Sequence, residues 1–163
     1  MELEIEDMPV YFPYQPYTVQ VDFMQKVIES CKLGKNALLE SPTGTGKTLS
    51  LLCGIFSYLR KESMERKVVY ASRTHSQLSN VVKELKKTIF RPSVSHIASR
   101  RQLCLDKEVQ KLPPALQARQ CFEKRKRKTC IYSQEDHITS FSPKLMQQCL
   151  DLPEFIEEAK RLS

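Results

Sequence analysis

The stretch Ser41-Pro42-Thr43-Gly44-Thr45-Gly46-Lys47-Thr48 constrains the fold of this chain more than any other. Before it stands a short apolar run, Asn36 to Glu40, too brief for a helix and suited to a buried strand. After it, Thr48 to Arg60 carries Leu49, Leu52, Cys53, Phe56 and Leu59 at a helical period. A glycine loop between strand and helix is the setting of a phosphate-binding loop. Gly44 and Gly46 let the backbone curl so that successive amides face phosphate oxygens, and the helix N-terminus adds its positive dipole end. Lys47 is then placed to neutralise terminal phosphates, and Thr48 to offer a hydroxyl to Mg2+. Ser41 stands where the general pattern has its first glycine.

The same plan continues on both sides. Residues 17–32 place Val19, Phe23, Val27 and Ile28 at helical spacing, ending at the Leu33-Gly34-Lys35 breaker. Lys67 to Ala71 reads as a second strand, Thr74 to Lys87 as an amphipathic helix with Leu78, Val81, Val82 and Leu85, and Val94 to Ala98 as a third strand. Strands alternating with helices of this length predict an α/β fold with a doubly wound parallel sheet and helices on both faces, since parallel neighbours need crossover connections. Near Ser99 the periodicity gives way to basic residues, Pro113-Pro114 and spaced cysteines, which suggests an insertion. Weak helical periodicity returns at Pro143 to Leu150 and Pro153 to Leu162, and the chain then ends at Ser163 without a breaker or tail, as a cut would leave it.

The formal charge of +7 over 163 residues is local, because residues 100–130 hold ten Lys or Arg against three acids. Such a segment faces either a polyanion or simply solvent. An acidic N-terminus and the lack of an apolar leader argue against secretion, and Leu49 to Leu59 is well short of the roughly 20 residues a membrane span needs. A soluble intracellular protein with no membrane partner is expected, and its six cysteines then point to metal binding or burial rather than disulfides.

Three passages together resemble superfamily 2 DNA helicases of the xeroderma pigmentosum group D type, the iron-sulfur branch. They are Phe12-Pro13-Tyr14-Gln15-Pro16-Tyr17 with Gln20, the loop Glu40 to Thr48, and Tyr70-Ala71-Ser72-Arg73-Thr74-His75-Ser76-Gln77-Leu78. The resemblance implies a RecA-like P-loop NTPase core, with residues 1–99 as the ATP-binding part of motor domain 1 and 100–163 as a partial, mostly helical iron-sulfur domain. It implies that ATP and Mg2+ are held by Gln20, Ser41, Pro42, Thr43, Gly44, Thr45, Gly46, Lys47 and Thr48, with Lys47 and Thr48 catalytic. Gln20 then pairs with the adenine edge, for which an amide has a donor and an acceptor, although the segment also reads as a plain amphipathic first helix. Arg73, Thr74, His75 and Gln77 match the motif that touches the DNA backbone, and Thr74 could equally cap the following helix.

Cys104, Cys121 and Cys130, separated by 17 and 9 positions, match in order the first three ligands of the family's 4Fe-4S cluster, whose fourth ligand would fall beyond Ser163. Zinc is the alternative metal, less suited because close Cys-x-x-Cys pairs are missing. Cys31 and Cys53 read as buried hydrophobes, Cys149 does not match the last ligand's setting, and His137 is a weak substitute. The run Lys124-Arg125-Lys126-Arg127-Lys128 reads as a grip on single-stranded or forked DNA or as a nuclear-localisation signal. The implied parent is a nuclear, ATP-hydrolysing 5'-to-3' helicase of DNA repair or telomere maintenance. Neither an Asp-Glu-Ala-His box nor a second motor domain occurs in the chain, and Glu135-Asp136-His137 has no strand leading into it. The chain alone is therefore expected to be inactive. A non-catalytic, metal-stabilised nucleic-acid-binding protein is the other reading.

Overall fold

In the computed structural model, which describes residues 1–63, 66–134, 145 and 148–162, the first structured element is one that the acidic N-terminus did not announce. β1 (Glu2–Ile5) and β2 (Met8–Tyr11) form an antiparallel hairpin with Leu3 opposite Val10 and Ile5 opposite Met8. Glu6 and Asp7 make the two-residue turn with φ of 53° and 55°, the left-handed pair that matches the twist of paired strands. Alternation then turns Ile5, Met8 and Val10 inward.

Chain contacts divide the molecule into two compact units, Met1–Arg91 and Pro92–Ser163. In the first, the hairpin is covered by α1 (Thr18–Leu33) and α2 (Lys47–Lys61), with α3 (His75–Lys87) packed on α2. The core joins Ile5, Met8, Val10 and Phe12 to Met24, Ile28, Leu49, Cys53 and Tyr58. α1 ends as its sequence predicts: Gly34 takes φ 61°, and the amides of Gly34 and Lys35 return to the carbonyls of Cys31 and Ser30. Of its expected face Val27 and Ile28 are buried, but toward the N-terminus the face is turned, with Gln20 and Met24 inside and Val19 exposed. Gly54 lets α2 approach α1, lying against Val27, and α2 meets β2 where the Ser57 hydroxyl accepts the Tyr11 amide at 3.1 Å. Phe90 closes the unit, stacked on Phe56 at 5.6 Å and edge-on to Tyr11 at 6.4 Å.

The parallel sheet expected of residues 36–40, 67–71 and 94–98 is not formed: among the described residues the hairpin is the sheet, and these three segments have no ladder partner. Leu38 is fully exposed, Ile97 and Val69 nearly so. A helix closes its hydrogen bonds within itself, whereas a strand needs a neighbour for every one of them, so short strand sequences form nothing without a partner. The three helices accordingly appear where the periodicity placed them, within a residue or two.

The second unit is helical. α4 (Arg100–Leu103), α5 (Lys107–Gln110) and α6 (Pro114–Lys126) follow one another, with α4 and α5 packed on α6, and a 3-10 turn spans Ile131–Ser133. α7 (Leu152–Leu162) fulfils the second of the late helical expectations and starts on a reciprocal cap between Asp151 and Glu154. Of the expected Pro143 to Leu150 helix, residues 143, 144, 146 and 147 lie outside the described residues, and residues 148–150 are not helical, the chain there running into the cap of α7. His96 Nε2 donates to the Leu150 carbonyl at 2.8 Å, and the ring meets that of Phe155 at 5.8 Å, which ties the 92–98 segment to α7. No helix among the described residues is long and apolar enough to cross a membrane.

Candidate functional site

The loop between residues 41 and 46 is held in a curl by its own side chains. Gly44 and Gly46 sit at φ 82° and 74°, a region that costs any residue with a Cβ. The Thr45 hydroxyl donates to the Pro42 carbonyl at 2.9 Å, so in their 2.6 Å contact the Ser41 hydroxyl is the donor to Thr45. Gly46 is the N-cap of α2, and no acidic residue occupies the first turn of that helix, so its positive dipole end is left for an anion. Lys47 folds back over the loop, donating to the carbonyls of Ser41 at 2.6 Å and Pro42 at 2.7 Å. Carbonyl oxygens with partial negative charge hold the ammonium where fully charged phosphate oxygens could replace them. Pro42, Thr43 and Gly44 are exposed, and Thr48 is half-buried in the first turn of α2.

Gln20, expected at the adenine edge, bridges α1 to this loop. Its Oε1 accepts the Tyr17 amide at 2.9 Å and its Nε2 donates to the Thr45 carbonyl at 3.0 Å. The side chain is buried, and a Cβ on Gly46 would come within 2.5 Å of its Nε2. The aromatic residues Tyr14 and Tyr17 of the same passage are exposed.

Residues 72–77 lead into α3. Thr74 is its N-cap, with the hydroxyl accepting the Gln77 amide at 3.3 Å, and Ser72 donates to the Gln77 side-chain carbonyl at 2.5 Å. Arg73, His75 and Gln77 are exposed on the surface at this end of the helix. The cap is thus one of the two roles the sequence left open for Thr74.

In the second unit, Cys104 directly follows α4, Cys121 lies on α6 and Cys130 precedes the 3-10 turn, all three half-buried. Burial pushes the Cys104 thiol above its ordinary value, the Asp106 amide bonded to its sulfur acts the other way, and the nearby Cys121 and Cys130 thiols add to the rise. The Cys121 and Cys130 thiols therefore each lie within electrostatic reach of Cys104. Among the described residues no three His, Cys, Asp or Glu groups converge on a single ion. Soft thiol donors grouped at half-buried positions fit an iron-sulfur cluster in kind, and three fit it in number only with a fourth thiolate from elsewhere. His137 and the Glu135-Asp136 pair lie outside the described residues.

The basic run forms the last turn of α6 and the turn after it. Lys128 takes φ 56° and donates its amide to the Arg125 carbonyl at 3.0 Å, while Thr129 donates to that of Lys124 at 2.9 Å. Cations at a helix C-terminus face the negative dipole end, which explains how such a run remains helical. Arg125, Lys126, Arg127 and Lys128 are exposed, with Arg127 3.9 Å from Glu123. Lys124 differs, pairing with Asp106 at 2.7 Å and Glu108 at 2.5 Å. These two hydrogen bonds raise the Lys124 pKa, and Lys124 holds the Asp106 carboxyl below its usual value. Sequence reading missed this cluster, although Asp106-Lys107-Glu108 is a helix-start signature that could have placed Asp106 as a cap.

A family model described as DEAD_2 matches residues 70–163. A regulator of telomere elongation helicase 1 homolog from Oryza sativa subsp. japonica is 36% identical, the match covering 76% of this chain and 17% of that protein. Homologs of the same name from Drosophila ananassae and Drosophila mojavensis are 33% and 34% identical, over 97% of this chain and 20% of theirs. The chain thus spans about a fifth of the length of the curated relatives it matches.

Proposed function

The chain belongs to the DEAD_2 family of helicases, and from that premise we propose that it provides the nucleotide-binding loop of an ATP-dependent DNA helicase of telomere and genome maintenance. The observation that carries the reading is Lys47, held by the loop's own carbonyls at the N-terminus of α2, where the phosphates of ATP would exchange with them. In that role the amides of the 42–47 loop wrap the phosphates, Lys47 neutralises the terminal ones and Thr48 offers its hydroxyl to Mg2+. The protein is nuclear in this reading and moves 5' to 3'. In the whole protein, segments 36–40 and 67–71 find strand partners in a RecA-like parallel sheet.

Cys104, Cys121 and Cys130 are proposed as three ligands of a 4Fe-4S cluster, completed by a thiolate from outside these residues. The cluster would act as a covalent staple for a segment with little hydrophobic core. Arg125, Lys126, Arg127 and Lys128 are proposed to meet the phosphates of single-stranded or forked DNA in the second unit, and Arg73, His75 and Gln77 those in the first. The 163 residues by themselves bind nucleotide without unwinding DNA.

Titration of Lys47→Ala with a fluorescent ATP analogue and with single-stranded DNA tests this. The expected result is loss of nucleotide binding with DNA affinity kept. Unchanged nucleotide affinity would remove the motor reading and leave a nucleic-acid-binding protein built around its half-buried cysteines and basic run.

A further inference from the structure

The cation that begins the basic run is the one least available to DNA. The Lys124 side chain is 18% exposed and that of Asp106 15%, against 76% for Arg127. Each part of Lys124 reaches a different cysteine segment. Its ammonium binds Asp106, two residues after Cys104, whose Oδ1 already caps α5 by accepting the amides of Glu108 at 2.9 Å and Val109 at 3.1 Å. Gln110 of the same helix donates to the Cys104 carbonyl. Lys124 stands three residues after Cys121 on α6, which places these two on one face of that helix. Its carbonyl accepts both the amide of Thr129 at 2.9 Å and the Thr129 hydroxyl at 3.2 Å, in the turn that leads to Cys130.

We propose that Lys124 is a positioning residue: paired with Asp106 and Glu108, it holds the Cys104 segment against α6 and so sets the distance between the Cys104 and Cys121 thiols, and it does not serve as a contact to nucleic acid. The use of that distance rests on the reading of these cysteines as cluster ligands, but the distance itself is measurable with no metal present.

The experiment treats the reduced, metal-free chain with dibromobimane, which bridges neighbouring thiols, and maps the bridged peptides by mass spectrometry. In Lys124→Gln the Cys104–Cys121 bridge is expected to fall about fivefold, the effect of losing an ion pair that organises a local segment. Lys124→Arg restores it, and Arg119→Gln, which removes a cation from the same helix, leaves it at the parental level. A salt titration of single-stranded DNA binding gives the second readout: Lys124→Gln keeps the parental slope, whereas loss of a phosphate contact lowers it by about one. Parental bridging in Lys124→Gln, failure of Lys124→Arg to restore it, or a reduced salt slope in Lys124→Gln overturns the proposal. Iron and sulfide analysis of the whole protein separates the two claims, because a protein without iron removes the cluster reading while the bridging result still decides the role of Lys124.

Discussion

Gly46 is bound by two constraints at once, its positive φ and the Gln20 amide that occupies the space of a Cβ. Gly46→Ala should lower stability in urea denaturation by about 1–2 kcal/mol. Part of that cost comes from pushing Gln20 off the Thr45 carbonyl, so Gln20→Ala with Gly46→Ala should cost less than the sum of the single changes. Cys53 makes a prediction about pH. Burial, with Glu84 adding a smaller effect, pushes its thiol up to about 12 from an ordinary 9.0. A group whose proton is held more tightly in the folded state contributes fully below the ordinary value and loses that contribution as pH rises toward the folded one. Stability should fall between about pH 9 and 12, and Cys53→Ala should flatten that slope in denaturant titrations, whatever it costs at neutral pH. The sequence identified Cys53 as a buried hydrophobe and gave the loop residues by name. It could not show that Gln20 faces the loop, because the partner is a backbone carbonyl 25 positions away.

At the scale of elements, α1 and α2 approach closely at Gly54. A Cβ there would stand 3.3 Å from Val27 and 3.6 Å from the Met24 carbonyl. Gly54→Val should force the helices apart and cost about 1–3 kcal/mol in thermal or urea unfolding. Thr74→Ala removes the cap of α3 and should cost about 1 kcal/mol by the same measurement. The helices were legible because their hydrogen bonds and apolar periods are local. The rotation of α1, with Met24 inside and Val19 exposed, was not, since it depends on which surface α2 and the hairpin offer. The hairpin was written in the alternation of Leu3, Ile5, Met8 and Val10 around Glu6-Asp7, but four-residue strands stand out weakly among the acidic residues of the first seven positions.

At the scale of the whole molecule, Leu38 and Val69 in the first unit and Ile97 in the second expose apolar side chains on segments without strand partners. Unpaired strand sequence of this kind invites association between copies. Leu38→Lys with Val69→Lys should shift the chain toward monomer in sedimentation, with the unfolding midpoint of the first unit unchanged. A shifted midpoint would show that these residues are already packed. What the sequence by itself determined was closed over short distances: the glycine loop before α2, the three helices of the first unit, the last helix, and the grouping of cysteines with basic residues. Only the tertiary structure decided that segments 36–40, 67–71 and 94–98 stay unpaired among the described residues, and it alone set the face that α1 buries, the embrace of the loop by Gln20 and the pairing of Lys124 with Asp106. These depend on groups that come from separate parts of the chain, so their partners are chosen by packing and charge in three dimensions.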